Sequence, residues 1–300
     1  MLENGGNMSE RNFFDLLKAK WAEKKFVCVG LDPDYSKMPR HLQNDDSEDL
    51  FEFCLKVVES TKEYVCAYKP NIAFFEASGE EGISCLQMLI EAINDIAADV
   101  PIILDAKRGD IGNTNSHYAH FAFEILKADA ITISPYLGKE AMQPFLDYKN
   151  KGIFVLCKTS NSGGGEFQDL DVVLSTNKTS GTAYLKKLYE VVAMNVLKDW
   201  NENENCGLVV GATYPKQLQE IRWIAPNLPL LIPGVGTQGG DLEKVVNTAF
   251  DRNLEGFIIN SSSAILYASN GEDYAEAAGE ATKKLHRQIV TIVLEELAVK

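Results

Sequence analysis

Ile102-Ile103-Leu104-Asp105-Ala106-Lys107-Arg108-Gly109-Asp110 opens as a β-branched apolar run and ends in alternating charge. That is the profile of a strand buried along its length with polar groups at its C-terminal tip. Alternation along a strand points Asp105 and Lys107 the same way, and Asp110 follows after a glycine turn. Charges after a strand often only cap the next helix. Two co-directed opposite charges with a third close behind favour a chemical role.

The same design repeats along the chain. Strand candidates are Phe26–Leu31, Cys66–Lys69, Ile102–Asp105, Ala130–Ser134, Gly152–Lys158, Cys206–Ala212, Leu228–Pro233 and Gly256–Asn260. Amphipathic helical stretches lie between or after them: Glu48–Ser60, Gly82–Ala98, Ser116–Lys127, Ala183–Trp200, Pro215–Ala225, Leu242–Phe250 and Tyr274–Leu297. Near-continuous apolar strands alternating with helices imply a parallel sheet covered on its outer face. Eight such units with no Pro/Ser-rich linker favour a closed (β/α)₈ TIM barrel in the α/β class over an open doubly wound sheet. The expected layout is a single barrel domain over residues 8–300, with residues 1–7 a polar, disordered or non-native segment outside it.

A barrel carries its chemistry at the C-terminal ends of its strands, where the βα loops gather. Polar residues collect there: Asp32, Lys69, Asn71, Asp105, Lys107, Thr159, Ser160, Gln238 and Asn260. The loop Pro233-Gly234-Val235-Gly236-Thr237-Gln238-Gly239 fits a glycine-rich phosphate cradle in the seventh unit, where barrels commonly bind phosphate.

At Asp105-Ala106-Lys107-Arg108-Gly109-Asp110 the chain resembles the orotidine 5′-monophosphate decarboxylase family, whose signature is Asp-x-Lys-x-x-Asp. Val29-Gly30-Leu31-Asp32-Pro33-Asp34 is similar to that family's first strand, and Tyr68-Lys69-Pro70-Asn71 to its second. Lys158-Thr159-Ser160-Asn161 is similar to the fifth-strand segment, and Pro233–Asp241 to the phosphate loop. Long loops around Gly163–Ser180 look most like the longer bacterial branch of the family.

The resemblance implies decarboxylation of orotidine 5′-monophosphate (OMP) to UMP in pyrimidine biosynthesis, with no cofactor, by a homodimer with shared sites. It implies a charge array of Lys69, Asp105, Lys107 and, from the partner subunit, Asp110. Asp105 would stand against the substrate carboxylate, and Lys107 would stabilise the carbanion and protonate it. Asp32 and, across the dimer, Thr114 would address ribose hydroxyls, and Ser160 the pyrimidine edge. Asn71, Ile111, Thr159 and Asn260 are further implied contacts. Pro233, Gly234, Gly236 and Gln238 would meet the phosphate.

One position departs from the pattern. Where the family ends its eighth strand with a phosphate-gripping arginine, Asn260-Ser261-Ser262-Ser263 places Ser263. Serine offers one neutral hydrogen bond in place of a bidentate guanidinium. Losing one charge-assisted contact costs roughly 1.5–3 kcal/mol, about 10- to 150-fold in equilibrium. Two alternatives therefore stand beside the main expectation. One is a related barrel decarboxylase or aldolase that acts on a sugar phosphate with magnesium. The other is a weakened nucleotide-phosphate binder.

Composition bounds the rest. With 45% hydrophobic and 24% charged residues, the 300-residue chain can bury a large core without staples. A net charge of −14 argues against nucleic acid or an anionic membrane as partner. No apolar run is long enough to span a bilayer and no signal peptide is visible, so the expected location is cytoplasmic. Six scattered cysteines without a CxxC pair are expected to be buried thiols. His117 and His120 share a helix face but have no third ligand in sequence, so no metal is expected.

Overall fold

The computed structural model describes residues 11–44, 47–176, 183–235 and 241–299. Eight strands run parallel in one sheet: β1 (Val27–Leu31), β2 (Val65–Pro70), β3 (Ile103–Arg108), β4 (Ala130–Ile133), β5 (Gly152–Lys158), β8 (Cys206–Val210), β9 (Leu230–Pro233) and β10 (Phe257–Ser261). Neighbours follow the order β2-β1-β10-β9-β8-β5-β4-β3. The parallel bridges Tyr68↔Ile102 and Asn71↔Asp105 join the two edges and close the barrel. Each expected strand is present. Strands β1, β2, β4, β8 and β10 are buried at every position, as a sheet wrapped by helices requires. The architecture is a single TIM-barrel domain.

The remaining strands β6 (Asp171–Thr176) and β7 (Ala183–Lys187) pair antiparallel and form a two-stranded sheet outside the barrel. This corrects the expectation of one helix over Ala183–Trp200. The helix begins only at Leu188, after Lys187 donates its backbone N–H to Glu190 (2.8 Å). It ends in a wider turn over Val196–Trp200. Helical periodicity hid the first five residues because their partner strand lay in what read as a loop.

A helix absent from the sequence assignment, Phe13–Ala22, underlies the barrel. Asn12 caps it, accepting from Phe14 N and Asp15 N. Phe13 packs edge-on against Phe154, and Trp21 donates to the carbonyl of Phe257 at the start of β10. Gly152, the first residue of β5, has no side chain because the Phe13 ring occupies that space, 2.4 Å from where a Cβ would stand. Below the barrel, Arg11 holds Asp129, which also accepts from Ile102 N at the head of β3.

All six cysteines are buried. Burial raises each thiol pKa, to about 12 for Cys28, Cys85 and Cys206. No helix among the described residues is long and apolar enough to cross a membrane. The segment 1–7 lies outside the described residues.

Candidate active site

The site grows from an irregularity in β3. Leu104 pairs with Ile131 and Arg108 with Ile133, so four residue steps on β3 face two on β4. Asp105, Ala106 and Lys107 bulge out of the ladder, and Lys107 takes a left-handed backbone (φ 46°) that lysine rarely adopts. The two displaced amides find a partner in Thr132 Oγ1, which accepts from Ala106 N (3.1 Å) and Lys107 N (3.0 Å). The same hydroxyl donates to Asp105 Oδ1 (2.9 Å). Asp105 and Lys107 do face the same way, but a bulge puts them there, where simple alternation was expected to.

Asp105 is 8% exposed and lies between two ammonium groups. Lys69 Nζ is 2.7 Å from Oδ2, and Lys107 Nζ is 2.6 Å from Oδ1. Burial opposes the charge on Asp105, but Lys69 and Lys107 overcome it and hold the carboxyl well below the usual carboxylate range. Burial likewise opposes the charge on Lys69, and Asp105 and Asp32 more than offset it, so its ammonium is held above the usual lysine range. Lys69 is 4% exposed at the end of β2, whereas the Lys107 side chain is half exposed at the mouth. The pattern is a buried ion pair with a second, half-exposed cation on its open side.

Two cavities, about 250 Å³ and about 490 Å³, share Lys69, Asp105 and Pro233 as a common wall. Together they match a small-molecule site, roughly 300–1,000 Å³. The smaller is lined by Asp32, Gly234, Asn260 and Ser263, and also by Lys37, Phe74 and Tyr267, which the sequence reading missed. Asp32 Oδ1 and Asn260 Oδ1 are buried there without a hydrogen-bond partner. Two orphaned acceptors in one cavity call for a ligand that brings hydroxyl donors. The larger cavity is lined by Lys107, Thr132, Thr159, Ser160 and Gln168. Gln168 accepts from Thr159 N (3.0 Å) and donates to Thr159 Oγ1 (2.8 Å). Gly211 lets the next strand end pass close to Ser160, whose backbone lies 2.7 Å from where its Cβ would be.

Other expected residues lie elsewhere. Asn71 caps the helix Ile72–Glu76, accepting from Ala73 N, and lines neither cavity. Asp110 accepts from Ile111 N in the loop beyond β3 and stands apart from the Lys69–Asp105–Lys107 cluster. Ile111 is 66% exposed, and Thr114 is exposed on the helix that follows. Gly236 and Gln238 lie outside the described residues. Lys158, at the end of β5, is fully buried beside Asp169 (2.7 Å) and against the Tyr214 ring, so it offers no charge to a phosphate. Thr132 could have been found in the sequence only by knowing the bulge it supports.

Residues 25–278 match the family described as Orotidine 5'-phosphate decarboxylase / HUMPS family. The chain is 47% identical over 268 residues to the orotidine 5'-phosphate decarboxylase of Azoarcus sp. (strain BH72), covering 89% of this chain and 94% of that one. Among solved structures it is similar to Leishmania donovani OMP decarboxylase, with TM-score 0.79 and 40% identity, covering 94% of this chain and 99% of the other. It also superposes on Leishmania donovani UMP synthase, with TM-score 0.82 and 40% identity, covering 95% of this chain but 57% of that one. With a barrel closed around a Lys–Asp–Lys cluster and a match that runs through nearly all of it, the chain belongs to the orotidine 5'-phosphate decarboxylase / HUMPS family.

Proposed function

We propose that this protein decarboxylates OMP to UMP in pyrimidine biosynthesis, using only its own side chains. The observation that carries the proposal is the buried Asp105 carboxylate bracketed by Lys69 and Lys107 at the wall between the two cavities. A substrate carboxylate on pyrimidine C6 meets Asp105 at this wall, where like charges repel and loss of neutral CO₂ relieves the repulsion. The C–C bond breaks, its electron pair stays on C6, and Lys107 stabilises that charge and donates its proton. Lys69, locked on Asp105, keeps the carboxylate ionised and aimed. The pyrimidine occupies the larger cavity against Ser160 and Thr159, and the ribose hydroxyls satisfy Asp32 and Asn260. Pro233, Gly234 and Ser263 border the phosphate end, with Gly236 and Gln238 as further contacts carried over from the family motif.

Asp110, Ile111 and Thr114 serve the site of a second subunit in this scheme. Ile111, next to Asp110 in the chain, is 66% exposed, an apolar side chain suited to a two-fold contact. An ammonium 2.7 Å from Asp105 also favours metal-free chemistry over a magnesium-dependent sugar-phosphate reaction, because a divalent cation there would have to displace Lys69.

The test is the fall in OMP absorbance with purified protein. Lys107→Ala is expected to abolish turnover with the fold intact. Asp105→Asn is expected to lose most activity yet bind UMP at least as tightly. EDTA is expected to change nothing. Lys107→Ala with activity within a few fold of the parent would overturn the mechanism.

A further inference from the structure

The smaller cavity is short of positive charge for the ligand proposed to fill it. Asp32, Asp34 and Asp105 line it, against Lys37 and Lys69 among the described residues. Lys69 is buried on Asp105 and has no freedom to turn. Ser263, at the position that the family motif reserves for arginine, brings a hydroxyl and no charge. A phosphate dianion between Gly234 and Ser263 therefore needs a cation from another element.

Lys37 meets the requirement. It ends the short turn Tyr35–Lys37 after β1, and its side chain is 58% exposed over the same cavity. Its ammonium stands 5.7 Å from the centre of the Tyr267 ring. That ring is a fixed floor: its hydroxyl accepts from Asp34 N (2.7 Å) and donates to Asp32 O (2.8 Å). The backbone N–H of Tyr267 in turn donates to the carbonyl of Ser263 (3.2 Å). Lys37 is thus held over the residue that closes the turn begun by Ser263.

At rest the ammonium is parked 2.7 Å from Asp34 Oδ2. Asp34 is equally held on its other oxygen by Ser36 N (3.0 Å) and Ser36 Oγ (2.6 Å), so it keeps partners when the lysine leaves. A surface ion pair of this kind holds weakly, and a dianion is a stronger attractor than a monoanion. We infer that Lys37 swings from Asp34 onto the substrate phosphate and supplies the charge that Ser263 does not. This rests on the phosphate end of the proposed OMP site. It makes Lys37 a binding residue supplied by the first βα loop.

The experiment compares the parent, Lys37→Gln, Lys37→Arg, Ser263→Arg and the Lys37→Gln/Ser263→Arg double variant. KM is measured for OMP and for orotidine, which lacks the phosphate, and UMP and inorganic phosphate binding are measured by calorimetry. Lys37→Gln is expected to raise KM for OMP and weaken UMP binding roughly tenfold or more, the loss of one charge-assisted contact. Orotidine should change by less than about twofold, and Lys37→Arg should restore OMP. Ser263→Arg should tighten OMP and UMP, and in that background the Lys37→Gln effect should shrink. Equal changes with OMP and orotidine, or unaltered UMP binding, overturn the role of Lys37. Calorimetry needs no turnover, so the two ideas fail separately. A parent that never decarboxylates OMP but binds UMP through Lys37 overturns only the decarboxylase proposal.

Discussion

Thr132 does more for the cluster than its size suggests. One hydroxyl absorbs the two amides freed by the β3 bulge and still donates to Asp105. A left-handed lysine costs about 1–2 kcal/mol, and the hydroxyl is the local group that offsets it. Thr132→Val keeps the shape and removes all three bonds. It is expected to lower kcat about ten- to a hundredfold, with a smaller change in KM, since each lost bond to a charged or buried group is worth roughly 1–3 kcal/mol. An unchanged kcat would mean that the bulge holds without it. At this scale the sequence was partly legible. Asp105 and Lys107 stood out because opposed charges at a strand end are rare. Thr132 looked like any β-branched residue because its partners come from β3, and Lys37 like any surface lysine because the Tyr267 ring beneath it is far along the chain. Asn71 shows the converse: asparagine after a strand is also a common helix cap, and it caps Ile72–Glu76 here.

The elements were read best where period and burial agreed. Eight buried parallel strands leave an apolar trace that few other folds produce, so all eight barrel strands could be placed. The hairpin β6–β7 escaped because its strands are exposed, so no alternation of buried and polar residues marks them. The helix Phe13–Ala22 escaped because it precedes the first strand and belongs to no repeating unit. Strand ends also set the site through close backbone approach, which a sequence cannot display. Gly211, after β8, lies against Ser160, after β5. Gly211→Ala is expected to push Ser160 out of place, raising KM for OMP severalfold. The same change should cost about 1–3 kcal/mol of stability. Thermal melting and kinetics on one preparation separate the two effects, and an unaltered KM would remove Ser160 from the base contact.

For the whole molecule, the question is whether one barrel suffices. Lys69, Asp105 and Lys107 meet within one chain, whereas Asp110 and Thr114, on either side of exposed Ile111 in the sequence, line neither cavity. If a second subunit receives them, Lys107→Ala and Asp110→Ala proteins, each inactive, should regain activity on mixing. In the mixed dimer one site gathers both defects and the other has none. Mixtures that stay dead after proven subunit exchange would return Asp110 to its own barrel.

The six buried cysteines give the barrel a built-in clock. They lie on β1, β2, β5 and β8 and on the helices Ser47–Thr61 and Gly79–Ile96, so they sample much of the circumference. A thiol that is covered, with its ionisation suppressed, reacts only when its sector opens. Alkylation followed by mass spectrometry should therefore time the breathing of each sector. UMP should slow labelling of Cys28 and Cys66, on the strands that carry Asp32 and Lys69, more than that of Cys206. Uniform slowing at all six would mean that the barrel opens as a single unit.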